Sequence, residues 1–68
     1  MDKIRKTATL YAVDERGEFF RVATYARKVA KKAARDIKIA NTLKAQKLCA
    51  VDDESGKIIQ QKKYNIRN

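Results

Sequence analysis

The chain has no histidine, no proline and no tryptophan, and it carries one cysteine, Cys49, one serine, Ser55, and two glycines, Gly17 and Gly56. Each scarcity excludes something. Without histidine, no side chain has an ordinary pKa suited to general acid–base work at neutral pH. Ser55 sits in an acidic stretch with no base nearby in sequence, and Cys49 has no histidine to activate it. No catalytic constellation can be assembled, so no enzyme is expected. A single cysteine rules out an intramolecular disulfide, and the lack of a histidine–cysteine cluster argues against zinc. The Asp52-Asp53-Glu54 run lacks the alternating acids and distal glutamate of a calcium loop. Neither glycine belongs to a GxGxxG or GxxxxGK phosphate loop, so no cofactor is expected.

Other absences are positive signs. No proline and two glycines point to a compact ordered unit rather than a linker. No apolar run approaches a membrane span, and the start, MDKIRKTATLYAV, lacks the apolar core of a signal peptide. No membrane partner is expected, and the lone thiol suits a reducing cytoplasm, that of the host if the source is viral.

Positive charge is abundant. Seventeen lysines and arginines stand against eight acids, giving a formal +9 over 68 residues. One domain, residues 1–68, is expected, with a core so modest that homodimerisation is a plausible way to add burial. The field favours an anionic partner: nucleic acid first, then an acidic protein surface. The charge is also segregated. Arg27, Lys28, Lys31, Lys32, Arg35, Lys38, Lys44 and Lys47 have only Asp36 among them, while acids gather at Asp14-Glu15 with Glu18 and at Asp52-Asp53-Glu54.

The stretch Thr24–Gln46 predicts one amphipathic helix capped by Thr24. Ala26, Val29, Ala30, Ala33, Ile37 and Ala40 fall on one side at helical spacing. Arg27, Lys28, Lys31, Lys32, Arg35 and Lys38 form a basic ridge on the other. The ridge opposes stability. Bases in the first turns cost about 0.3–1 kcal/mol each against the helix dipole, and like charges four apart cost about 0.2–0.5 kcal/mol per pair. Such a ridge is either a solvated face or a docking site for an anion.

Two hairpins flank this helix. Residues 4–23 alternate, turn at Asp14–Gly17 and return through Phe19, Phe20 and Val22. Residues 47–64 repeat the pattern: LYAVDERGEFF at Leu10–Phe20 matches LCAVDDESGKII at Leu48–Ile59. The expected fold is α+β, ββαββ: an antiparallel sheet with one central helix on one face. Leu10, Ala12, Phe20, Val22, Leu48, Ala50 and Ile59 would meet the helix. Tyr11, Val13, Phe19, Arg21, Cys49, Val51, Ile58, Gln60, Lys62 and Tyr64 would line the other face, which is apolar enough to call for a second copy, another partner, or stacked nucleobases.

These features predict a small non-enzymatic protein that binds nucleic acid through Arg27, Lys28, Lys31, Lys32, Arg35, Lys38, Lys62 and Lys63. Contacts of this kind go to phosphates and carry little sequence information. Tyr11, Phe19, Arg21 and Tyr64 are the candidate sheet-face interface. The rival expectation is an adaptor or inhibitor of the phage or mobile-element type. It would dock the same helix on an acidic surface of a complex such as a host nuclease or polymerase.

Overall fold

Period-two alternation makes Thr7–Val13 the first strand, β1, in the computed structural model, which describes residues 6–65. Ala8, Leu10 and Ala12 are fully buried, while Thr7, Tyr11 and Val13 are half-buried on the other side. The chain continues as β2 (Phe19–Ala26), α1 (Arg27–Ala34), α2 (Ile37–Leu43), β3 (Lys47–Asp52) and β4 (Ile58–Lys63). Four antiparallel strands form one sheet in the order β2-β1-β3-β4, and the helices cover one face, an α+β arrangement. The expected strand start at Ile4, and Lys3, Arg5 and Arg67, lie outside the described residues.

The single helix expected over Thr24–Gln46 is replaced by two. Thr24 caps nothing: it lies in β2, where its hydroxyl meets those of Thr9 at 3.0 Å and the Arg21 guanidinium at 2.9 Å. β2 runs on to Ala26, and α1 begins without a side-chain cap. The break falls at Arg35-Asp36. Arg35 N–H and Asp36 N–H turn to Lys32 O and Ala33 O at 3.0 and 3.1 Å, and the Asp36 carboxylate accepts the Lys38 N–H at 2.9 Å. Aspartate competes well for a helix start and poorly for a helix interior. α2 then closes on Lys44, which adopts φ 53° and ψ 41°. Lys44 N–H reaches Asn41 O at 3.2 Å and Ala45 N–H reaches Ala40 O at 2.9 Å, the paired bonds of a Schellman ending.

The internal repeat has a spatial counterpart. β1 and β3 pair as Leu10–Ala50, Tyr11–Cys49 and Ala12–Leu48. Leu10 corresponds to Leu48 and Ala12 to Ala50 in the repeat, so the two hairpins meet about a local two-fold at Tyr11 and Cys49. Their turns also match. Asp14 O accepts Gly17 N–H and Asp52 O accepts Gly56 N–H, at 2.9 and 2.8 Å. Both glycines have positive φ, 83° and 74°, which a side chain would strain.

Each return strand carries one extra residue. Leu10 pairs Ala23 while Tyr11 pairs Arg21, leaving Val22 as a bulge; Ala50 pairs Gln60 while Val51 pairs Ile58, leaving Ile59. A bulge exchanges the two faces for everything beyond it. Gln60, Lys62 and Tyr64, expected on the free face, therefore belong to the helix side.

The core is built largely of alanine. Ala8, Ala12, Ala30, Ala34, Ala40, Ala45 and Ala50 are fully buried, with Leu10 and Leu48 as its large buried members. Small side chains let the helices approach the sheet closely. Val29 and Ile37, expected in this core, are 48% and 57% exposed. The bend at Asp36 turns the buried stripe onto Ala30, Ala33, Ala34 and Ala40, and both branched residues fall on its flank. Phe20 points to the helix side but is 39% exposed, since β2 is an edge.

Candidate nucleic-acid interface

The basic ridge survives the break in the helix, minus one member. Lys28, Lys31 and Lys32 on α1, Arg35 at the joint and Lys38 on α2 are all exposed. Among the described residues none of these five makes an ion pair. Asp36, the acid set among them, spends its carboxylate on the Lys38 backbone.

Arg27 is withdrawn from the ridge. Its Nη2 lies 2.8 Å from Asp52 Oδ1 and 4.0 Å from Glu54 Oε1, and its side chain is only 33% exposed. Asp52, at the end of β3, is buried and also accepts the Ser55 N–H and O–H at 3.1 and 2.8 Å. The Ser55 hydroxyl, then the Arg27 guanidinium, hold the Asp52 carboxyl down to about 2. Asp53 accepts the hydroxyls of Thr7 and Thr9 at 2.6 and 2.7 Å, and these bonds lower its pKa. The second acidic turn thus ties a hairpin to β1 and to the start of α1. Its sequence signal was the Asp-x-x-Ser spacing of Asp52 and Ser55, which suits a side-chain-closed turn.

Lys62 and Lys63 diverge, as neighbours on a strand must. Lys62 lies on the helix side with its ammonium 5.6 Å from the centre of the Tyr64 ring. Lys63 pairs with Lys47 and shares the free face with it. Tyr64, expected on that face, is 8% exposed and donates its hydroxyl to Ala34 O at 2.6 Å. Burial raises its pKa, with Asp36 adding to the effect. The bulge at Ile59 is the reason for its placement.

Tyr11, Phe19 and Arg21 do come together on the free face. Across the sheet the register gives one row of Phe19, Val13, Lys47 and Lys63, and a second of Arg21, Tyr11, Cys49 and Gln61. Phe19 is 63% exposed. Cys49 is buried in this row; burial raises its pKa, with Lys47 opposing, which disfavours the thiolate. Lys47 belongs to this surface. The parity it shares with Cys49 and Val51 was the available sign.

A further surface was not legible in the sequence. Where α1 and α2 splay beside β2, a shallow groove of about 720 Å³ is lined by Tyr25, Val29, Ile37 and Ile39 and edged by Lys32 and Arg35. It continues into a smaller hollow of about 230 Å³ beside Val22 and Leu43, edged by Lys38. Ile39, which falls at the margin of the basic ridge in a single-helix reading, here faces the groove and packs on the core. Among the described residues no helix is long and apolar enough to cross a membrane. No protein-family model matches the chain, and no curated protein or solved structure matches it.

Proposed function

We propose that this chain is a small non-enzymatic nucleic-acid-binding protein whose helical layer contacts phosphates with little sequence preference. The observation that carries the reading is the set of five exposed cations, Lys28, Lys31, Lys32, Arg35 and Lys38, on one layer without ion pairs among the described residues. Lys31, Lys32 and Arg35 fall in the last turn and cap of the shortened α1, where they suit its dipole, contrary to the long-helix expectation. Lys28 with Lys32 and Lys31 with Arg35 still repel one another at four-residue spacing, and a phosphate backbone relieves that repulsion. The ridge is poor in groups that read base edges. Thr42 donates its hydroxyl to Lys38 O at 2.9 Å, which leaves Asn41 as its uncharged amide. A cytoplasmic setting, where nucleic acid and reduced thiols coexist, suits this role.

The test is fluorescence anisotropy with labelled duplex DNA, single-stranded DNA and RNA over a salt series. Each neutralised phosphate contributes a slope of about 0.9 on duplex DNA, so four or five contacts predict roughly a 150–500-fold loss of affinity from 50 to 200 mM salt. Combined Lys28→Glu, Lys31→Glu, Lys32→Glu and Arg35→Glu substitution should abolish duplex binding. Salt-independent affinity, or a charge-reversed protein that binds as well as wild type, refutes the proposal.

One observation favours a second reading, the adaptor or inhibitor. The groove beside the ridge exposes Val29 and Ile37 between cations, and an acidic protein surface with apolar anchors would match both. A partner whose binding is lost in Ile37→Glu, together with no affinity for any nucleic acid, would favour it.

A further inference from the structure

We infer that the free face of the sheet is a stacking platform for the unpaired bases of single-stranded nucleic acid. The inference rests on the nucleic-acid reading above and adds the form of polymer and a second, separate surface. Its basis is the register. Val13 pairs Phe19 and Tyr11 pairs Arg21 on one side of β1; on the other, Val13 pairs Lys47, which pairs Lys63 in turn. Opposite residues share a face, and diagonal neighbours such as Tyr11 and Phe19 lie about 7–8 Å apart. Two aromatic side chains are thus set among three cations within two adjacent rows.

Several features select this occupant. Phe19 is 63% exposed, and an aromatic ring left open beside cations suits a base, whose flat face stacks and whose phosphate is anionic. Arg21 is held in place by its bond to Thr24 Oγ1 at 2.9 Å and keeps further donors for a phosphate. The charge on this face is uneven in a useful way. Its carboxylate, Asp53, accepts from Thr7 and Thr9, and Arg21, joined to Thr9 through Thr24, lies near enough to help lower its pKa, so Asp53 bounds the track on the Arg21 side. The acidic turn at Asp14–Glu18 borders the aromatic row on the other side. Phosphates are thereby confined to a track crossing the strands past Arg21, Lys47 and Lys63. Duplex nucleic acid cannot offer its stacked bases to Tyr11 and Phe19, so the platform discriminates single strands while the helical layer does not.

The experiment uses labelled oligothymidylate and oligouridylate of about twelve residues, with a hairpin duplex as reference. Phe19→Leu and Tyr11→Leu keep apolar bulk and remove the flat ring. Each should weaken single-strand binding by about five- to a hundredfold and leave duplex binding within about twofold. The tyrosine emission of wild type should be quenched by the single strands. If either leucine variant fails to fold, the exposed pair Arg21→Gln with Lys63→Gln serves. It should lower the single-strand salt slope by about 1.4, at about 0.7 per phosphate. Unchanged single-strand affinity in all these variants overturns the platform, as does an equal loss on duplex. So does a sedimenting dimer that Phe19→Leu dissociates without changing single-strand affinity, since a second copy would then own the face. The two readings fail separately. Binding lost on helix reversal but indifferent to Phe19 and Tyr11 leaves the helical layer standing alone. Single-strand binding that survives helix reversal and falls with Phe19→Leu leaves the platform standing alone.

Discussion

Lys44 offers the sharpest test of the backbone. Among the described residues it is the one non-glycine with positive φ, at 53°, and it closes α2 with its side chain exposed. An L-residue in this left-handed region carries a penalty of about 1–2 kcal/mol, from the approach of Cβ to the following carbonyl. Glycine escapes that penalty but has more unfolded-state freedom to lose, about 0.4–1 kcal/mol. The net expectation is a gain of about 0.5–1 kcal/mol. The comparison must be Lys44→Gly against Lys44→Ala rather than against wild type. Both variants remove the same charge from the end of a helix, itself worth about 0.3–1 kcal/mol, and alanine keeps the strained Cβ. For a domain of this size the difference corresponds to a melting temperature higher by about 2–8 °C in the glycine variant. Thermal unfolding followed by circular dichroism reads it directly. A glycine variant that melts at or below the alanine variant would show that Lys44 stores no backbone strain.

Two further outcomes follow from the hydrogen bonds. The Asp52 carboxyl is held at about 2, below its ordinary 3.8, so its contribution to stability is complete above about pH 4 and is lost as pH falls through about 2. Asp52→Asn should therefore lower the urea midpoint at pH 7, and its deficit against wild type should shrink between pH 4 and pH 2; a deficit that stays constant over that range contradicts the assignment. Tyr64→Phe removes the donor to Ala34 O and should cost about 0.5–1.5 kcal/mol in urea unfolding at neutral pH. A neutral result would mean that the hydroxyl contributes nothing to docking β4 on α1.

Much of the architecture was legible in the residues. Both hairpins announce themselves through Asp-to-Gly turns between alternating strands, and their repetition gives the pairing of Leu10 with Ala50 once the two-fold is seen. Of the predicted stripe, Ala30, Ala33 and Ala40 face the core, while Ala26 ends β2 exposed and the fully buried Ala34 was not among its members. The helix break was less legible because Arg35 and Asp36 are neither glycine nor proline, and an aspartate that caps α2 through the Lys38 N–H reads in sequence as one more charged surface residue. The bulges at Val22 and Ile59 were not legible at all. Pattern reading at period two assumes a continuous strand, and valine and isoleucine fit either face. That one blind spot explains why Tyr64 and Lys62 lie on the helix side rather than on the free face. Of the ridge, Lys28, Lys31, Lys32, Arg35 and Lys38 were found by helical spacing alone. The loss of Arg27 depended on Asp52, 25 residues away in sequence, which no local pattern reveals.

The bulges also constrain how this molecule can meet a partner. β2 and β4 are the sheet's edges, and an unpaired edge invites another strand to add by backbone hydrogen bonds. Each edge here is interrupted, β2 near its middle by Val22 and β4 near its start by Ile59. A bulge twists the edge and disrupts the ladder that an incoming strand would need. β4 adds Lys62 and Lys63, whose charges deter a further copy of so basic a chain. Association along the edges is thus disfavoured, and the proposed recognition would fall to the two faces. These differ in kind. The helical side presents five cations on its helices, with Tyr25 in the adjoining groove and Phe20 partly exposed at the edge. The free sheet face presents Tyr11 and Phe19 among cations, suited to a backbone whose bases are turned outward. A device that protected only against aggregation would need no difference between the faces. Under the proposed function, the five helical cations would meet a phosphate backbone and the Tyr11–Phe19 pair would meet unpaired bases, so the two faces would answer to different forms of the polymer.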